Sequence, residues 1–353
     1  MPTSSTVTKP PSVSVTEPLI YVASFDNHLY ALDTTTGTQR WSFQADTSIQ
    51  SSPVVAYGMI YVGSNDNHLY AIDASTGKER WRFRTGGIVY SSPTVANGIV
   101  YVGSQDGKLY AIDATIGGLI WVFTAPLGLY SSPTVANGMV YVGSQNNFLY
   151  AVDATTGVLR WQFKTQTYIL SSPIVANGVV YVGSQDKKLY AIEAATGKMR
   201  WAFTTGGGVD ASPVVASGVV YVGSQDGKLY ALDAATGSQR WAFKTNNVLY
   251  ASPVVANGMV YQASRDHNLY AIDAATGQER WRFATDYDIY STPVVTNGSV
   301  YVGSNDFNVY ALQATTGRLR WKFRTGNVVV SSPVIAQKNA TIGMYPTISG
   351  GGK

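Results

Sequence analysis

Eight tryptophans set the frame of this chain. Trp41, Trp81, Trp121, Trp161, Trp201, Trp241, Trp281 and Trp321 are spaced 40 residues apart without an insertion. Phe43 and its equivalents to Phe323 keep the same period, as do the columns Tyr21 to Tyr301 and Tyr30 to Tyr310. A repeat of this length belongs to solenoids or propellers. Helical repeats are excluded, because Gly or Pro interrupts every stretch and no window carries a 3.6-residue apolar period.

Each unit reads as four short strands, A to D. In the second unit these are residues 52–56, 59–64, 68–73 and 80–85. The joints are turn dipeptides, with Tyr57-Gly58 (Asn-Gly in most units) between A and B and Asp66-Asn67 between B and C. Such residues supply the positive φ angles of tight hairpins. Four antiparallel strands of this length make a propeller blade.

The phase of the repeat then decides closure. The first strand, 19–24, is a B strand and the last, 331–336, is an A strand. A linear stack would leave both fragments with bare edges. We expect an all-β, closed eight-bladed propeller in which 331–336 completes the first blade. Residues 12–16 compete for that slot but lack the Ser-Ser-Pro start. The expected layout is a Ser/Thr/Pro-rich leader (1–18), the propeller (19–336) and a C-terminal tail (337–353).

Composition agrees: 45% of residues are apolar and 13% charged, with a net charge of +4, so a buried core is affordable and disorder is excluded. There is no cysteine, which removes thiolate chemistry and disulfides. No apolar run is long enough to span a membrane. The start has no apolar signal segment, so the chain as written reads as cytoplasmic, or as periplasmic or extracellular if a signal was removed.

The segment Ala71-Ile-Asp73-Ala-Ser-Thr76-Gly77-Lys-Glu-Arg-Trp81 recurs in all eight units with small changes. It resembles the tryptophan-docking motif of the pyrroloquinoline-quinone-like (PQQ-like) propeller repeat family, over residues 19–336. That resemblance implies an eight-bladed propeller of the kind found in quinoprotein dehydrogenases, in the BamB-type outer-membrane assembly lipoprotein and in sensor or scaffold modules. The residues account for the motif on their own. Asp73 can accept from the N–H groups of its turn, Gly77 can take φ > 0, and Trp81 offers a flat surface to the neighbouring blade. Glu193 and Gln313 replace the aspartate in two units, which argues against a catalytic ring. The second acidic column, Asp26 to Asp306 with Asn146 in one unit, reads as turn chemistry rather than a ring of cation ligands. No metal site is expected, since no loop clusters oxygen ligands at alternate positions. Basic residues on D strands, such as Arg82, Arg84, Lys322 and Arg324, are spread around the rim. They guard open edges and do not form a nucleic-acid footprint.

Function is sought where the units differ. The D–A and B–C connections share one face, the top. His28, His68 and His267 fall in its B–C turns, with Phe25, Phe148 and Phe307. The residue leading into each A strand varies: Gln50, Tyr90, Tyr130, Leu170, Asp210, Tyr250, Tyr290 and Val330. These residues should ring the mouth of the central channel, with Tyr90 facing Tyr250 and Tyr130 facing Tyr290. The alternative, tyrosines packing on neighbouring loops, stays open. Asp286, Tyr287 and Asp288 make the richest single loop. The expected role is a non-catalytic binding scaffold that takes a protein or peptide segment on the top face, as a monomer and with no cofactor. The alternative is a PQQ- and calcium-dependent dehydrogenase or a sugar-binding propeller. Such dehydrogenases use inserted loops, an aromatic floor and often a disulfide between adjacent cysteines. This chain has no insertions or cysteines, and every tryptophan sits in the docking column.

Overall fold

The structure, a computed structural model, describes residues 18–336. These form eight four-stranded antiparallel sheets, the blades of a propeller. The second blade is typical. It runs from Val54–Ala56 at the centre through Met59–Gly63 and His68–Asp73 to Glu79–Arg84 at the rim. Tyr57 and Gly58 turn A into B with φ of 53° and 74°. A bulge between Ala71 and Ile72 offsets strand D, and bulges of this kind increase local twist.

Ring closure follows the phase of the repeat. Leu19–Ala23, His28–Asp33 and Gln39–Gln44 form three strands of the first blade, and Val334–Ile335 supplies the fourth. Ile20 pairs with Ile335 and Tyr21 with Val334. Residues 12–16 lie outside the described residues.

Strand A is shorter than the pattern suggests, three residues in most blades. The reason is the Ser-Ser-Pro start. Pro53 has no N–H to give a ladder, and the N–H of Ser52 is donated to the Ser92 hydroxyl of the next blade at 3.0 Å. The same bond recurs from Ser92 to Ser132 and onward through Ser172, Ser212, Ser252, Thr292 and Ser332, which donates back to Ser52. Distances run from 2.8 Å at the seam to 3.1 Å. A closed belt of eight hydrogen bonds therefore surrounds the channel and includes the C-terminal latch.

The core lies between blades. Trp41 donates its indole N–H to the Ala74 carbonyl of the next blade at 3.2 Å, and the Tyr21 hydroxyl donates to the same oxygen at 3.0 Å. The Trp41 ring lies on Gly77, where a Cβ would come within 2.6 Å of it. Gly77 thus serves twice, through φ of 72° and through lack of bulk. At the seam, Trp321 donates to the Thr34 carbonyl and lies on Gly37.

The acidic columns do more than close turns. Asp73 accepts from the N–H groups of Ser75 and Thr76, from both hydroxyls and from Arg80 at 2.6 Å. Asp66 accepts from the N–H of His68, from the Tyr70 hydroxyl at 2.8 Å, and from the N–H of Asp46 in the previous blade. It staples two blades. Burial, then that carboxylate, pushes the Tyr70 phenol above its ordinary range. Asn146 keeps only the bond within its blade, donating to Tyr150; the residue that would staple the previous blade to it is Pro126, which has no N–H to give.

Candidate functional site

Departures from the repeat concentrate at one end of the disc. There each D–A loop rests on a B–C turn; Val89 donates its N–H to the Ser64 carbonyl and Gln105 to Ile88. His28, His68 and Phe148 begin C strands, so the turns proper hold only His267, Phe25 and Phe307 from that set. Each loop ends on a buried aliphatic residue, Ile49 through Val329. The next residue is half-buried in every blade: Gln50, Tyr90, Tyr130, Leu170, Asp210, Tyr250, Tyr290 and Val330.

The tyrosines contact immediate neighbours. Tyr90 stacks on Tyr130 with centroids 5.1 Å apart and planes at 21°. Tyr250 stacks on Tyr290 at 5.5 Å and 9°. A step of four blades in eight relates the two stacks, so one lies across the channel from the other. Burial raises the Tyr90 and Tyr290 phenols above their ordinary range.

A second column was missed in the sequence reading. The residue after the B–C serine is Phe25, Asn65, Gln105, Gln145, Gln185, Gln225, Arg265 or Asn305. Four of these side chains, Gln105, Gln185, Gln225 and Arg265, contact the mouth residues. Gln105 donates to the Tyr130 hydroxyl. Gln185 and Gln225 both donate to Asp210 Oδ2, at 2.5 and 2.8 Å. The Arg265 guanidinium lies 5.9 Å from the Tyr250 ring and 5.5 Å from the Tyr290 ring. One cation in a column of amides was the available signal.

Arg265 changes the electrostatics of the Asp286 loop. Its Nε is 2.7 Å from Asp288 Oδ2, and His267 Nε2 is 3.2 Å from Oδ1. Asp288 is therefore held within the protein. Asp286 and Tyr287 are exposed on the top face, with the His267 ring stacked on Tyr287. Asp210 has no such cation. Its Oδ1 is buried without a hydrogen-bond partner, as are Oδ1 of Asn65 and of Asn305. Burial pushes the Asp210 carboxyl above its ordinary value, against the two glutamine bonds.

At the opposite end, a cavity of about 460 Å³ is lined by Asn137, Met139, Asp153, Arg160 and Trp161 among others. Those belong to the repeated docking columns, which the fold already explains.

Residues 134–350, more than half of the chain, match the family described as the beta-propeller of the beta-alanine-activating enzyme. Residues 3–89 and 84–174 match the family described as outer membrane protein assembly factor BamB. The chain belongs to the PQQ-like, BamB-type β-propellers. Among curated proteins no sequence matches it. Among solved structures, this PQQ-like propeller is similar to BamB from Moraxella catarrhalis, with a TM-score of 0.74 and 19% identity over 84% of this chain and 93% of that one. The computationally designed Ika8 protein matches with a TM-score of 0.72 and 16% identity, over 80% and 90%. A europium-containing methanol dehydrogenase matches with a TM-score of 0.70 and 16% identity, over 83% and 81%. At these identities the likeness is one of fold.

The dehydrogenase branch implies a quinone and a metal ion at the channel top, and the donor set here does not fit them. Among the described residues no three His, Asp or Glu side chains come together to hold a metal ion. Asp288 is engaged by Arg265 and His267, and Asp210 stands apart between two amides. Among the described residues no helix is long and apolar enough to cross a membrane.

Proposed function

We propose that this PQQ-like propeller is a non-catalytic binding scaffold whose channel mouth receives a peptide segment or a small hydroxyl-rich ligand. One observation carries the reading: two stacked tyrosine pairs face each other across a mouth in which Asp210 Oδ1 is buried without a partner. Stacked tyrosines give contact area at low entropy cost. Unpaired buried acceptors are costly until a donor reaches them. A ligand presenting ammonium or hydroxyl donors between aromatic faces answers both features. The likeness to BamB supports a protein partner by analogy of fold.

The test is a screen of basic peptides and oligosaccharides on arrays, followed by Tyr250→Ala with Tyr290→Ala. Anchoring aromatics cost more than about 1–2 kcal/mol each when truncated, so affinity should fall at least about tenfold. The melting temperature should hardly change, since these rings are only half-buried. A double variant that unfolds readily would make the tyrosines loop-packing residues. Reproducible turnover of an alcohol with added quinone and calcium would favour the dehydrogenase reading instead.

A further inference from the structure

The rim of the disc is not uniform. In each blade the outer strand pairs on one side only, so its other backbone edge is open. Seven of the eight outer strands carry Arg or Lys: Gln39–Gln44, Glu79–Arg84, Leu159–Lys164, Met199–Thr204, Gln239–Lys244, Glu279–Ala284 and Leu319–Arg324. Each of those seven is net positive. Charges of this kind are what keep open edges from pairing. The eighth, Leu119–Thr124, reads Leu-Ile-Trp-Val-Phe-Thr and carries no charge.

Apart from Thr124, its exposed side chains are apolar. Ile116 is 74% exposed, Leu119 52%, Ile120 40%, Val122 43% and Leu127 53%. The next blade extends the patch, because Gly157 sits against Trp121 and is followed by exposed Val158 and Leu159. Seven of the eleven large exposed apolar side chains among the described residues lie here. Such clustering marks an interaction surface.

We propose that this protein pairs with a second copy of itself through Leu119–Thr124, edge to edge and antiparallel about a two-fold axis. Three observations select that occupant. Free N–H and C=O groups along an open edge are satisfied by another extended strand, which makes the partner a strand. The edge is neutral and apolar, so a copy of it is self-complementary, as a two-fold contact requires. Every other outer strand of a second copy carries Arg or Lys, and docking it here would bury these groups, or the ion pairs that some of them make, against Leu119, Ile120 and Val122. The contact buries one strand edge and its fringe, at the small end of interface sizes. Such a contact makes a weak, reversible dimer. The binding mouth lies at the top of the disc and stays free in both copies.

The experiment copies the sibling blades. Ile120 stands where Arg80 meets Asp73, and Val122 where Lys322 stands. Ile120→Arg with Val122→Lys therefore installs residues the fold already accepts at those places. A second variant, Leu119→Glu, copies Glu79. Sedimentation velocity over a range of concentrations should show a monomer–dimer equilibrium for the wild-type chain. Both variants should stay monomeric at the same concentrations, with melting temperatures no lower than the wild-type value extrapolated to low concentration. A wild-type chain that is monomeric throughout overturns the proposal and leaves the edge to a foreign strand. Variants that dimerise as well as the wild-type chain overturn it too, by placing the contact elsewhere.

Discussion

At Asp210 folding stability and the proposed binding meet in one residue. It is the only acid in the column of eight that rings the channel mouth. Gln185 and Gln225 hold one oxygen, while the other is buried without a partner. Burial raises its carboxyl pKa, so the folded chain holds this proton more tightly than the unfolded chain. Stability is therefore lost as pH rises through the raised value, and at neutral pH the charged form is carried at a cost. Asp210→Asn should raise the melting temperature at neutral pH, and the gain should vanish in acid, where the native side chain is protonated. Thermal melts at both pH values check this; equal gains at both would refute the burial argument. The same substitution should weaken any ligand that brings an ammonium group to the mouth.

Among the elements, the inner strand does the most with the fewest residues. Val334–Ile335 pairs with Leu19–Ala23. Beside it Ser331 bonds to Ala23 through its hydroxyl, accepting from the N–H and donating to the carbonyl, and Ser332 closes the hydroxyl belt. Deleting residues 331–353 removes all of this and opens an edge in the middle of the ring. We expect a chain that aggregates or melts far below the full-length protein, read by calorimetry and light scattering. A truncated chain that melts like the full chain would hand the latch role to residues 12–16. The two-residue length of this strand was not foreseen, because strand length was read from apolar pattern alone. The serine before the proline looked like part of the ladder, yet its N–H crosses to the neighbouring blade.

For the whole molecule, the docking aspartates make stability depend on acid. Arg40, burial notwithstanding, holds the Asp33 carboxyl down to about 2, from 3.8. Arg240 and Arg280 do the same for Asp233 and Asp273, and Arg160 holds Asp153 lower still. At Asp73 burial opposes the shift, but Ser75, Arg80 and Thr76 outweigh it. A depressed folded pKa contributes stability above the ordinary value that is lost as pH falls through the folded one. The arginines are largely exposed, so each contribution is screened and small. Repetition around the ring makes them count. Denaturant melts should show stability falling between pH 3.8 and about 2, with a shallower fall at high salt. A flat profile over that window would show that these pairs do not act on folding.

Much of this is legible in the sequence. The 40-residue period, the turn dipeptides and the phase of the strands specify eight blades and the place of closure. Each rests on local backbone preference or on a contact with the adjacent unit, which a regular repeat writes at constant spacing. The docking role of Trp81 and the turn role of Asp73 were readable for the same reason. What only the tertiary structure decided is how unlike residues meet across blades. Tyr90 rests on Tyr130 rather than reaching toward Tyr250, because stacking works over about 5–6 Å and adjacent loops lie within that reach. Asp288, which looks free in its loop, is taken by Arg265 from the neighbouring turn. The hydroxyl belt depends on serines 40 residues apart being brought together by the closed ring. The bare letters of Leu119–Thr124 acquire meaning once that strand stands at the rim, where an uncharged edge is open to a partner. Local rules and constant spacing determine the ring; the geometry of packing determines which of its irregular residues touch.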